Sequence, residues 1–121
     1  MKKIIVLILL FLAMLTLPLV AAAEKPLVNG TVKELDGQGR LKAILKYRDS
    51  LLVRKRVYDE KGQLLLDTVY RDEKAVAIKT YYLNGQLKSA WSQKSEEARF
   101  FYPTGQPKIT IPVKNPARLE Q

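Results

Sequence analysis

Few residues of this chain are equipped for chemistry. The 121 residues include no His and no Cys. The usual general base, the commonest transition-metal ligand and all thiolate reactions are therefore missing. Glu96 and Glu97 are paired carboxylates, but adjacent residues of a strand point to opposite faces, and the surrounding "SQKSEE" reads as a solvated turn. Asp49, Asp59, Asp67 and Asp72 fall mostly at turns and lack calcium-loop spacing. Ser89 has no His to activate it. These residues imply a protein that is not an enzyme and needs no cofactor or metal.

Recognition chemistry is better represented. Tyr58, Tyr81, Trp91 and Phe101 recur at related positions and could form a contact stripe or the core of a thin sheet. Tyr82 and Tyr102 fall on the opposite face by alternation and are candidates for partner contact. Lys33, Arg56, Lys79 and Arg99 also recur, and "RKR" at 54–56 adds Arg54 and Lys55 to the local positive field. By parity this basic ladder is expected on the apolar face. There it would either snorkel at the rim or meet an anionic partner. The candidate partner-binding set is thus Tyr82, Tyr102, Arg54, Arg56, Lys79 and Arg99.

The elements that position these side chains follow from a repeat. Gly39, Gly62, Gly85 and Gly105 are spaced by 23, 23 and 20 residues and followed by "RLK", "QLL", "QLK" and "QPK". Four residues before each glycine stands Leu35, Tyr58, Tyr81 or Phe101. In "YPTG", Pro103 suits the second position of a type I turn and Gly105 the fourth, where φ must be positive. Such a turn with a left-handed residue makes a three-residue hairpin loop. It pairs the residue three before the glycine with the one after it. Each glycine is therefore expected at a hairpin tip, with polar return turns near 47–50, 70–74 and 93–97.

The fold expected is all-β: an antiparallel meander of about eight short strands, built from four hairpin repeats. The strands fall at 31–36, 40–47, 51–58, 63–70, 75–82, 86–92, 97–102 and 106–113. Alternation groups one apolar face in each copy: Leu35, Leu41, Ala43, Leu45 and Tyr47; Tyr58, Leu64, Leu66, Thr68 and Tyr70; Tyr81, Leu87, Ser89 and Trp91; Phe101, Pro107, Ile109, Ile111 and Val113. No copy can bury its apolar face alone, so neighbours must stack.

Ahead of the repeats, "MKK", the uncharged run from Ile4 to Val20 and "AAA" at 21–23 have the three-part pattern of a signal peptide. Cleavage is expected after Ala23, giving an exported periplasmic or extracellular protein. The domain plan is a signal at 1–23, a linker at 24–30, a repeat domain at 31–113 and a disordered tail at 114–121. The chain from Glu24 carries 19 basic and 12 acidic residues, net +7. That charge favours anionic partners, among them lipid headgroups, cell-wall polymers or an acidic protein. Nucleic acid is not expected in that compartment. The apolar surface of a single sheet calls for a protein partner or self-association.

"YYLNGQLKS" at 81–89, with "YDEKGQLLL" at 58–66, "FYPTGQPK" at 101–108 and "LDGQGRLKA" at 35–43, resembles the variant MORN repeat of the bacterial YwqK-type antitoxin-component family. The resemblance spans about 31–113. It implies a β-repeat binding scaffold, with no catalytic residues to carry over. The sequence departs from the family at the return turns, where "YRDSLL" and "YRDEKA" lack a glycine and "SQKSEE" lacks the tyrosine too.

Overall fold

The computed structural model describes residues 28–120. The expected signal peptide and residues 24–27 of the expected linker lie outside them. Eight strands follow in chain order: β1 (Gly30–Leu35), β2 (Leu41–Arg48), β3 (Leu51–Tyr58), β4 (Leu64–Arg71), β5 (Lys74–Tyr81), β6 (Leu87–Ser92), β7 (Glu97–Phe101) and β8 (Pro107–Pro112). They pair antiparallel in sequence order to form one open sheet.

The glycine turns are the three-residue loops that the repeat predicts. Tyr82 N donates to Gln86 O at 2.9 Å and Gly85 N donates to Tyr82 O at 3.0 Å, and the other three turns repeat this pair of bonds. Gly105 has φ 92°, so its conformation favours glycine, and a Cβ there would lie 3.3 Å from Gln86 Oε1, at the movable end of that side chain. In the first two copies the residue three before the glycine is Asp36 or Asp59. Each carboxylate accepts bonds from two backbone N–H groups of its own loop at 2.8–3.0 Å.

The return turns solve the same problem without glycine. Arg48 pairs with Leu51 and Arg71 with Lys74, leaving two-residue loops. Asp49, Ser50, Asp72 and Glu73 all have positive φ, between 51° and 65°. That is the backbone of a type I′ turn, whose twist suits a two-residue hairpin. The third return, between Ser92 and Glu97, is longer and ends on Glu96 at φ 53°.

A register shift beside every glycine turn corrects the expected faces. Tyr81 pairs with Leu87, but Thr80 pairs with Ser89, so Lys88 is an extra residue on β6. Lys42, Leu65 and Lys108 are the corresponding extra residues in the other copies. Each bulge moves the rest of the strand to the opposite face. Of the residues grouped on one apolar face, Ala43, Leu45, Leu66, Thr68, Ser89, Trp91, Ile109 and Ile111 do share a face. Leu35 with Leu41, Tyr58 with Leu64, Tyr81 with Leu87, and Phe101 with Pro107 lie on the other.

One cross-strand row carries the core: Val32, Leu45, Lys55, Thr68, Ile78, Trp91, Ala98 and Ile111 in successive strands. Ile78, Trp91 and Ala98 are buried and packed by Leu66, Ala75, Phe100, Val113 and Leu119. Residues after β8 turn back over this face. Pro116–Glu120, within the stretch expected to be a disordered tail, forms one 3-10 helix against β5. Trp91 Nε1 donates to Val113 O at 3.1 Å, and Leu119 caps the cluster. A single sheet has no second layer, and this C-terminal strap supplies part of one.

Candidate functional site

The face opposite the core carries the basic ladder. Lys33, Ile44, Arg56, Asp67, Lys79, Ala90, Arg99 and Thr110 form one continuous cross-strand row. The four cations are therefore aligned as the repeat spacing predicts, but on the charged face and not the apolar one. The bulges account for the correction, since they reverse parity between the two strands of each hairpin. Lys55, the middle residue of "RKR", is the basic residue in the core row, between Leu45 and Thr68. A bulge in the preceding β2–β3 register sets its side and leaves little trace in the sequence.

Asp67 is the centre of this face. Arg54 Nε donates to its Oδ1 at 2.9 Å and Arg54 Nη2 to its Oδ2 at 2.7 Å, a bidentate pair. Arg56 Nε lies 3.7 Å from the same Oδ2 and makes no hydrogen bond, although the atom is buried. The bonds from Arg54 hold the Asp67 carboxyl below the ordinary aspartate range, against the opposing effect of burial. The Arg54 guanidinium is pushed up mainly by its bonds to Asp67. Burial raises the Tyr81 phenol, with the Asp67 charge as a second cause. A second row, Thr31, Lys46, Arg54, Val69, Ala77, Ser92, Glu97 and Pro112, adjoins the first, and a cavity of about 340 Å³ opens among Thr31, Ile44, Lys46, Arg54 and Arg56.

Half-buried Tyr58, Tyr81 and Phe101 stand between the cations and the glycine turns on this same face. Of the four aromatics first grouped together, Trp91 alone is in the core. Tyr82 and Tyr102 sit at the turns, away from the basic rows. The Tyr82 hydroxyl donates to Phe101 O at 2.7 Å, so it ties two neighbouring hairpins together. Tyr102 is 46% exposed. Lys88 and Lys108 place their ammonium groups over these two rings at 5.8 and 5.7 Å. The predicted site residues thus divide between two places: Arg54, Arg56, Lys79 and Arg99 are in adjoining rows, whereas Tyr82 and Tyr102 are at the turn edge.

On the core face, an open groove of about 710 Å³ runs beside the strap, bounded by Tyr70, Lys74, Ala75, Ile78, Trp91 and Val113. It is largely apolar and holds no arrangement of acid, base and nucleophile. No cluster of His, Cys, Asp and Glu suited to a metal ion occurs among the described residues.

Two segments, 77–94 and 97–115, match a family model described as the MORN repeat variant. The first takes in β5 from Ala77 onward, the glycine turn and β6, and the second contains the whole β7–β8 hairpin. The hairpins around Gly39 and Gly62 lie outside the matched segments. No curated protein matches the chain. A solved chain described as "Crystal structure of GtfA/B complex bound to UDP and GlcNAc" is similar at 15% identity and a TM-score of 0.35. The match covers 74% of this chain and 25% of that one. So distant a likeness carries no argument about function.

Proposed function

We propose that this protein is an exported, non-catalytic β-repeat scaffold that binds an acidic protein partner through its charged face, in an immunity or antitoxin-like role. The observation that carries the reading is the uneven use of the two faces. The core face is partly covered by the chain's own strap. The other presents Lys33, Lys46, Arg54, Arg56, Lys79 and Arg99 in two adjoining rows, with two acids among them: Asp67, already held by Arg54, and Glu97 on β7. The half-buried aromatics beside these rows offer rigid contact area of the kind that dominates protein interfaces. The match to MORN repeat variants supports a binding repeat without chemistry of its own.

The same rows favour a second reading, attachment to an anionic lipid surface or cell-wall polymer. The two readings differ in salt response, because screening weakens charge-only attachment most. The test is capture from the host envelope fraction under a salt ramp, using wild type and a Lys79→Glu/Arg99→Glu double variant. A stoichiometric protein that survives high salt and is lost from the double variant is expected. Lipid or wall material released at moderate salt would favour the second reading. Equal capture by both forms would overturn the charged face as the site.

A further inference from the structure

The two edges of the sheet are not equivalent. In an antiparallel ladder, alternate residues of an edge strand turn N–H and C=O away from their neighbour. The Tyr102–Gln106 and Val113–Glu96 bonds fix this parity for β8. Pro107, Thr110 and Pro112 face outward, opposite Phe101, Arg99 and Glu97 in the ladder. Two of these three positions have no N–H to offer, so another strand finds little to pair with. The Asp36 N to Arg40 O bond fixes the parity of β1 in the same way. Here Thr31, Lys33 and Leu35 face outward with their N–H and C=O groups unpaired among the described residues. β1 contains no proline.

We propose that β1 is a docking edge for an extended segment of the partner, which adds to the sheet as a ninth strand. This rests on the reading of the charged face and names how a partner would reach it. The chemistry of the occupant follows from the rows that it would extend. On the charged face its side chains would stand beside Lys33 and Thr31, next to the cavity bounded by Lys46, Arg54 and Arg56. On the core face they would stand beside Val32, which is 45% exposed. A strand alternating acidic and apolar residues satisfies both sides. A second copy of β1 fits less well, because Lys33 would be brought close to its own equivalent.

The test uses the full chain in mild detergent and a synthetic peptide alternating glutamate and valine, with a lysine–valine peptide as control. The acidic peptide should bind and slow amide exchange at Thr31, Lys33 and Leu35. Thr31→Pro copies the device found on β8. It removes an outward donor without taking a bond from the β1–β2 ladder, and should weaken binding about tenfold. Lys33→Glu keeps every backbone donor and should reverse the preference towards the basic peptide, so the proposal can still be judged if the proline variant unfolds. Acidic-peptide binding unchanged by both variants would overturn the edge while leaving the charged face standing. Protection at β8, absence of peptide binding, or a β1–β1 dimer in place of it would also overturn the edge.

Discussion

Asp67 is shared by the cations around it, and its worth depends on protonation. Its folded-state carboxyl is held below the ordinary aspartate range, chiefly by the Arg54 bonds. A group depressed in this way stabilises the fold above its unfolded pKa, and that contribution is lost as pH falls through the folded value. Urea unfolding followed from neutral to acid pH should show wild type losing stability that Asp67→Asn never had. The two stability curves should converge in acid. At neutral pH the substitution should cost about 1–3 kcal/mol, since it weakens a bidentate charged pair whose acid is 11% exposed. Tyr102 makes a contrast. It is exposed and Tyr82 is tied by its hydroxyl, so Tyr102→Ala should change stability by less than about 0.5 kcal/mol. Tyr82→Phe should cost about 1 kcal/mol for the lost bond to Phe101 O.

At the scale of elements, the turns decide the register and the bulges decide the faces. Gly105→Ala should destabilise by about 1–2 kcal/mol, because φ 92° is strained for any residue with a Cβ. Glu73→Gly should act in the opposite direction. Glu73 holds φ 65° in a return turn whose two central residues favour glycine or asparagine, and relief of that strain should raise unfolding free energy by about 0.5–1 kcal/mol. Chemical denaturation of the two variants checks both signs. The contrast also explains what the sequence could disclose. The hairpins were legible because Gly39, Gly62, Gly85 and Gly105 mark the loops with a residue type that the backbone requires. Strand spans fell within a residue of those observed. The faces were less legible because Lys42, Leu65, Lys88 and Lys108 look like ordinary strand residues, and nothing in their chemistry marks them as extra. Strict alternation carried across them put Tyr58, Tyr81 and the basic ladder on the wrong side. The alignment of Lys33, Arg56, Lys79 and Arg99 was legible from their recurrence, which survives an error of parity.

Over its whole described length the protein is a sheet with one face partly closed by Pro116–Glu120 and the other left charged. "KNPARLEQ" has little of the periodicity of an element, so its packing was not legible; Leu119 has meaning only once Ile78 and Trp91 are placed beneath it. Leu119→Ala should cost about 1–2 kcal/mol, below the range for a fully buried leucine, and should shift the single tryptophan's emission to the red. Unchanged emission would argue against the strap as cover for Trp91. The charged face should be indifferent to that change.

The central claim is that partners meet the charged face, and lysine footprinting of the captured complex tests it most directly. Lys33, Lys46 and Lys79 lie on that face, whereas Lys55 is in the core-face row and Lys88 and Lys108 cover the rings of Tyr82 and Tyr102. Acetylation before and after capture should protect the first three and leave the other three unchanged. Protection of Lys55, Lys88 and Lys108 with the first three still reactive would contradict the account.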